Sequence, residues 1–193
     1  MQQADPALRK IGIYGGTFDP IHNGHLILAR EARERLELEK IILVPATVSP
    51  FKNATVASAP DRLAMLESAV ANEPGFVIDQ LELRRPPPSY TIDTIEKIRP
   101  REPGAELFYL LGQDNVPDLT RWHRFDELQK LVQFVVLDRT GGQANHSHIV
   151  VQRKIDISAT EIRKRVASQR SIRYLVPEAV EQIIRDRRLY QEN

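Results

Sequence analysis

Two histidines, His22 and His25, stand three residues apart directly after Gly15-Gly16-Thr17-Phe18-Asp19-Pro20. In the first turn of a helix that spacing puts both imidazoles on one face. Two ring N–H donors beside the free backbone N–H groups of a helix start form a site for phosphoryl oxygens. Gly15 and Gly16 let backbone approach a ligand closely. Thr17 offers a hydroxyl, and Asp19 can fasten the turn. The helix dipole disfavours an imidazolium here, whereas a bound phosphate favours one, so both protonation states stay open. Taken alone, H-x-G-H also fits ordinary capping or solvent-facing histidines. A catalytic zinc needs a third protein ligand, and none is nearby, so no metal site is expected.

A second group lies near the other end of the chain, in Asp156-Ile157-Ser158-Ala159-Thr160-Glu161-Ile162-Arg163. Ser158 and Glu161 form S-x-x-E, the capping box that opens a helix. That explanation is complete by itself, yet a cap and an anion site are compatible. Arg163 adds a forked, permanent positive charge.

The middle of the chain offers a flat ring. Trp122 is the one tryptophan and stands among Arg121, His123 and Arg124. Core packing is one reading; the polar neighbours allow a rim position, where an indole stacks on a heteroaromatic ring by ~1–3 kcal/mol. Upstream, Ser89-Tyr90-Thr91 opens a helical stretch whose backbone N–H groups suit an anionic group, unless Ser89 or Thr91 caps it.

Six apolar runs read as strands: Ile11–Tyr14, Ile41–Val44, Phe76–Ile78, Leu107–Leu111, Phe134–Leu137 and Ile149–Val151. Helical patterns fall between and after them: Asn23–Leu38, from Pro60 onward, Thr91–Ile98, Phe125–Leu131, Ser158–Ala167 and Pro177–Arg187. Alternating strands and helices predict an α/β fold with a doubly wound parallel sheet, Rossmann-like, followed by a small C-terminal helical region. The expected layout is one domain, with residues 9–151 as the main core and 152–193 as C-terminal helices. Thr47–Ala59 and Thr140–Ser147 read as loops, and Pro86-Pro87-Pro88 is rigid and extended.

The bulk properties narrow the class. The 193 residues are 41% hydrophobic, enough for a core, and carry a net charge of +1. That balance does not call for a nucleic-acid surface. There is no cysteine, so disulfides and thiolate metal sites are excluded. The polar Met1–Lys10 segment lacks the apolar core of a signal peptide, and no apolar run is long enough for a membrane span. The expectation is a cytoplasmic protein with no membrane contact. Monomer and homo-oligomer are both open.

The strand, Gly-Gly-Thr-Phe-Asp-Pro and H-x-G-H together resemble the nucleotidyltransferase superfamily marked by that histidine motif. I-S-x-T-x-I-R at Ile157, Ser158, Thr160, Ile162 and Arg163 resembles its second signature, with Ala159 where a second serine is usual. Nearly the whole chain, from Ile11 to about Tyr190, resembles the bacterial nicotinate-nucleotide adenylyltransferases. The further matching pieces are Pro45, Pro50 and Lys52 of P-x-x-x-x-P-x-K, Arg62, Ser89-Tyr90-Thr91 of S-Y-T-x-x-T, Gly112 and Asp114 of L-G-x-D, and Trp122 of L-x-x-W-x-R.

The resemblance implies adenylyl transfer from ATP to nicotinate mononucleotide, giving nicotinate adenine dinucleotide and pyrophosphate, with Mg²⁺ carried by the ATP phosphates. It implies catalytic roles for His22, His25 and Arg163. ATP would also meet Gly15, Gly16, Thr17, Phe18, Gly112, Asp114, Ile157, Ser158 and Thr160. The mononucleotide would meet Gly15, Lys52, Tyr90, Thr91, Asp114, Trp122 and Arg139, with its pyridine on Trp122 and its carboxylate near Thr91. Two positions depart from the family pattern. Phe51 stands where histidine is frequent. Thr140 replaces proline after Arg139, which predicts a looser loop. The alternatives are another member of the superfamily, such as a phosphopantetheine adenylyltransferase or a cytidylyltransferase, and a non-catalytic nucleotide-binding module. A nucleic-acid-binding protein is a more distant reading.

Overall fold

The computed structural model describes residues 8–47, 56–86, 88–141 and 146–191. Each of the six predicted strands is present: β1 (Lys10–Gly16), β2 (Lys40–Pro45), β3 (Phe76–Ile78), β4 (Glu106–Gly112), β5 (Gln133–Asp138) and β6 (Ile149–Gln152). They form one sheet in the order β3-β2-β1-β4-β5-β6, and each neighbouring pair is parallel. This is the doubly wound arrangement expected from the alternation of elements.

Period-2 alternation splits the strand side chains between two cores. Ile11 and Ile13 of β1, with Leu107, Tyr109 and Leu111 of β4, face one side. There they meet helices α3 (Thr91–Ile98) and α4 (Phe125–Leu131) through Ile92, Ile95, Ile98 and Leu128. Tyr14, Phe108 and Leu110 face the other side. That side is covered by α1 (Asn23–Arg35) and α2 (Ala59–Val70), through Leu28, Ala32, Met65 and Leu66. The C-terminal helices α5 (Ala159–Ala167) and α6 (Glu178–Asp186) join this same core through Ile162, Val180 and Ile184.

Helix ends follow local chemistry. Ser58 caps α2 by accepting the Asp61 backbone N–H at 3.2 Å, and Pro60 sits in the first turn. The first helix ends at Arg35, short of the predicted Leu38. Glu37 adopts a left-handed φ of 55°, and the Leu38 N–H turns back to the Arg33 carbonyl at 2.9 Å. A 3-10 segment over Gln113–Arg121 contains Pro117 and has no periodic signature in the sequence.

Candidate active site

The first strand ends between β2 and β4, where the strand order reverses. Open α/β sheets bind ligands in the crevice at that switch, beyond the carboxyl ends of their strands. Two cavities open there, of about 210 Å³ and about 100 Å³, and they share Gly15, Gly16, Thr17 and Asn115. Residues from both ends of the chain meet in the larger one: His22 and His25 stand on its wall together with Ser158, Ala159 and Thr160.

His22 is the N-cap of α1, not a first-turn residue. Its Nδ1 accepts the backbone N–H of His25 at 3.3 Å. The ring is 1% exposed. Burial, helped by the positive charge of Arg139, pushes its pKa down to about 3. A neutral ring that accepts at Nδ1 carries its proton on Nε2, so His22 is an uncharged Nε2–H donor. The two imidazoles stack with centroids 3.6 Å apart and planes at 19°. Two positive rings at that distance would repel strongly in a dry site. The question the sequence left open is thereby answered for His22: it both caps the helix and lines the cavity, as a neutral ring.

The loop between β1 and α1 is held by distant groups. Phe18 takes a left-handed φ of 47° and packs edge-on against Tyr14 and His25, at 5.5 and 5.4 Å. Arg62, 1% exposed, donates from Nη1 to the Thr17 carbonyl at 2.6 Å. The Asp19 carboxylate accepts the Val56 and Ala57 N–H groups at 2.7 and 3.2 Å, and the Tyr190 hydroxyl at 2.6 Å. Arg163 donates to the Asp19 carbonyl at 2.7 Å. Arg163 is not on the wall of the cavity; it braces the loop that forms it. Ile157 likewise contributes through its carbonyl, which accepts from Arg139 Nη1 at 2.7 Å.

Ser158 caps α5, accepting the Glu161 N–H at 3.1 Å. The capping box is half formed, because the Glu161 carboxylate pairs with Arg165 at 3.7 Å. Asp114, expected with both substrates, and Arg139, expected with the mononucleotide, line the histidine cavity. The Arg139 turn is not loosened by Thr140. The Asp138 carboxylate accepts the Thr140 N–H and hydroxyl, each at 2.7 Å, and the Gly141 N–H at 3.2 Å. A proline has no N–H to offer there. Gly112 leaves room for the Asp114 carboxylate, which a Cβ there would displace.

The smaller cavity has Trp122, Tyr90, Thr91, Tyr109, Glu82 and His123 on its wall. Trp122 is half-buried and meets Tyr109 and Phe134 edge-on, at 5.7 and 6.4 Å. Neither Ser89 nor Thr91 caps α3. The N-cap is Tyr90, and among the described residues no side-chain cap bond is made to the first-turn N–H groups. Thr91 instead donates its hydroxyl to Tyr109 Oη at 3.4 Å. Tyr109 also explains Gly15, where a Cβ would collide with its hydroxyl. Tyr14, Tyr109, Asn115 and Glu82 escaped the sequence reading. The two tyrosines look like core positions of β1 and β4, and only the register of the sheet brings their rings to the crevice. Lys52, Pro50 and Phe51 lie outside the described residues.

Comparison with known proteins agrees with this arrangement. A family model described as cytidylyltransferase-like matches residues 13–165. A relative from Geobacillus thermodenitrificans named "Probable nicotinate-nucleotide adenylyltransferase" is 45% identical, over 94% of this chain and 86% of its own length. One of the same name from Exiguobacterium sibiricum is 41% identical, over 94% and 98%. Among solved structures, the Plasmodium falciparum nicotinic acid mononucleotide adenylyltransferase complexed with NaAD superposes with a TM-score of 0.79. It covers 94% of this chain and 97% of its own at 19% identity, a likeness of fold. The chain therefore belongs to the nicotinate-nucleotide adenylyltransferase family, among the cytidylyltransferase-like proteins.

Proposed function

We propose that the protein transfers the adenylyl group of ATP to nicotinate mononucleotide, releasing pyrophosphate and forming nicotinate adenine dinucleotide. The observation that carries this reading is the pair of cavities joined at Gly15–Thr17. One is walled by a histidine pair and a serine-capped helix start, which suits phosphates. The other has an indole and an uncapped helix start, which suits a flat ring bearing an anionic group. The shared backbone is where an attacking phosphate and an α-phosphoryl group would meet.

The acceptor's 5′-phosphate is already an anion, and pyrophosphate is a good leaving group once its charge is neutralised. No side-chain nucleophile is needed, so positioning and electrostatics carry the step. The neutral His22 donates from Nε2 to the α-phosphoryl oxygens as charge gathers on them. His25, stacked on it, adds its ring edge to the same wall. The first-turn N–H groups of α5, with Thr160 and the fixed charge of Arg139, bind the departing pyrophosphate. Arg163 serves through Asp19, by holding the loop at the reacting phosphorus. Thr91 and the α3 start receive the ring carboxylate, and Trp122 stacks on the pyridine.

Mg²⁺ enters on the triphosphate, where it needs few protein ligands. Among the described residues no group of three or more His, Asp or Glu could hold an ion. No helix among the described residues is long and apolar enough to cross a membrane. A cytoplasmic location is part of this proposal.

A panel of acceptors with ATP or CTP, scored by pyrophosphate release, tests the reading. Release with ATP and nicotinate mononucleotide, matched by dinucleotide formed, is expected. Turnover only with phosphopantetheine or only with CTP would assign the protein to another branch. ATP binding without any turnover would make it a nucleotide-binding module.

A further inference from the structure

Glu82 is a carboxylate on the wall of the tryptophan cavity, and it is 6% exposed. An acidic group is a costly choice beside a site that receives an anionic ring, because a buried charge must be matched by partners. Burial raises its carboxyl above the ordinary value, while the Thr94 hydroxyl and the charge of Arg85 act in the opposite sense. The mechanism above does not use it.

Its partners show what it holds. Glu82 Oε1 accepts the Thr94 hydroxyl at 2.5 Å. Arg85 reaches the same Thr94 oxygen from Nη2 at 3.4 Å and the Tyr90 carbonyl at 3.5 Å. Its Nη1 also lies 3.6 Å from the Asp93 carboxylate. Tyr90, Asp93 and Thr94 are the N-cap, third and fourth residues of α3. The Glu82 carbonyl in turn accepts the Thr47 hydroxyl, just past the end of β2. A single hydroxyl proton cannot serve two acceptors well. Thr94 gives its proton to Glu82 at 2.5 Å and is only 3.4 Å from the Tyr90 carbonyl. The first turn of α3 is thus clamped from behind by Glu82 and Arg85, with its N–H groups left free of side-chain caps.

We infer that Glu82 is a positioning residue for the acceptor: through Thr94 it fixes the open start of α3 against the Trp122 cavity, so that this helix start can take the acceptor's ring carboxylate. The inference rests on the adenylyl-transfer reading and assigns a further residue to one of its two half-sites. It gives a physical reason for a buried acid in a pocket for an acid: one carboxylate oxygen holds the hydroxyl behind the helix.

The test measures binding and turnover separately. Trp122 is the only tryptophan, so quenching of its fluorescence by nicotinate mononucleotide reports binding at this cavity without catalysis. Glu82→Ala is expected to raise the Kd and KM for the mononucleotide at least tenfold, with the KM for ATP changed less than threefold. Glu82→Gln keeps an oxygen that accepts from Thr94 and is expected to stay within about threefold of wild type. Should Glu82→Ala fail to fold, Thr94→Val carries the test, with an expected several-fold rise in the mononucleotide Kd alone.

An equal rise for ATP and mononucleotide would reduce Glu82 to general stability and overturn the inference. So would a Glu82→Gln variant as impaired as Glu82→Ala, which would mean that charge acts rather than geometry. Unchanged Kd values in Glu82→Ala and Thr94→Val would also overturn it. If wild type shows no quench with the mononucleotide, the adenylyl-transfer reading falls as well, whereas a quench unaltered by the variants sinks this inference alone.

Discussion

Arg163 Nη1 donates to the backbone carbonyl of Asp19 at 2.7 Å, joining residues 144 positions apart in the chain. The contact ties the helix of the second phosphate-suited motif to the loop of the first. Asp19 is braced on its other side by the Tyr190 hydroxyl, close to the end of the chain. The loop between β1 and α1 is therefore held by residues far along the sequence from it.

Arg163→Ala is accordingly expected to lose stability and activity together. A charged hydrogen bond to a backbone carbonyl contributes about 1.5–3 kcal/mol when shielded, and Arg163 is half-buried, so about 1–2 kcal/mol is appropriate. At this chain length that lowers Tm by roughly 2–8 °C. Calorimetry beside a kcat measurement checks it. Loss of activity with an unshifted Tm would mean that Arg163 acts on ligand directly, as the motif by itself suggests.

His22→Asn separates the two jobs of His22. Asparagine is a strong N-cap, so α1 keeps its start. The Nε2–H donor at the α-phosphoryl is lost, and kcat should fall about 10²–10³-fold, the scale of removing one preorganised donor. Circular dichroism and Tm should stay close to wild type. A kcat within a few-fold of wild type would remove His22 from the reaction.

The same variant carries a pH prediction. The folded His22 titrates near pH 3, held there by burial, whereas an unfolded histidine titrates near 6.5. Between those values the unfolded chain binds the extra proton, so stability falls as pH drops from about 6.5 toward 3. The slope from this one group is at most about 1.4 kcal/mol per pH unit. Urea melts of wild type and His22→Asn across that window should diverge, wild type losing stability faster. Parallel curves would mean that the imidazole is not held neutral by the fold.

Trp122→Ala should weaken the mononucleotide and spare ATP. Stacking worth about 1–3 kcal/mol per ring corresponds to roughly 5- to 150-fold in KM. Trp122→Phe should recover part of it. Equal effects on both substrates would make Trp122 a packing residue, braced as it is by Tyr109 and Phe134.

Much of this fold was legible in the chain because each of the six strands reads as a short apolar run, although only β1, β2, β4 and β5 are largely buried. The start of α5 was visible through the Ser158 cap, and that of α2 through Pro60 in its first turn. The 3-10 segment over Gln113–Arg121 was not, since it has no hydrophobic period and contains Pro117. The two motifs at the chain ends were readable locally; their convergence is a property of the sheet order. Tyr109 and Glu82 were hidden because their roles depend on long-range contacts, with Gly15 and with Thr94. The place of Arg139 beside the histidines was hidden for a related reason. Nothing in its neighbourhood announces the hydrogen bond to the Ile157 carbonyl that draws it to the histidines. The Thr140 departure reads as a loss when compared with proline, yet supplies two hydrogen bonds to Asp138.

The most direct measurement is a crystal structure of the protein soaked with nicotinate adenine dinucleotide. The pyridine is expected against Trp122, its carboxylate at the first turn of α3, and the diphosphate bridge over Gly15–Thr17 within hydrogen-bond reach of His22 Nε2. A dinucleotide seated with its bridge away from the histidine pair, or with its pyridine on the Ser158 side, would contradict this arrangement.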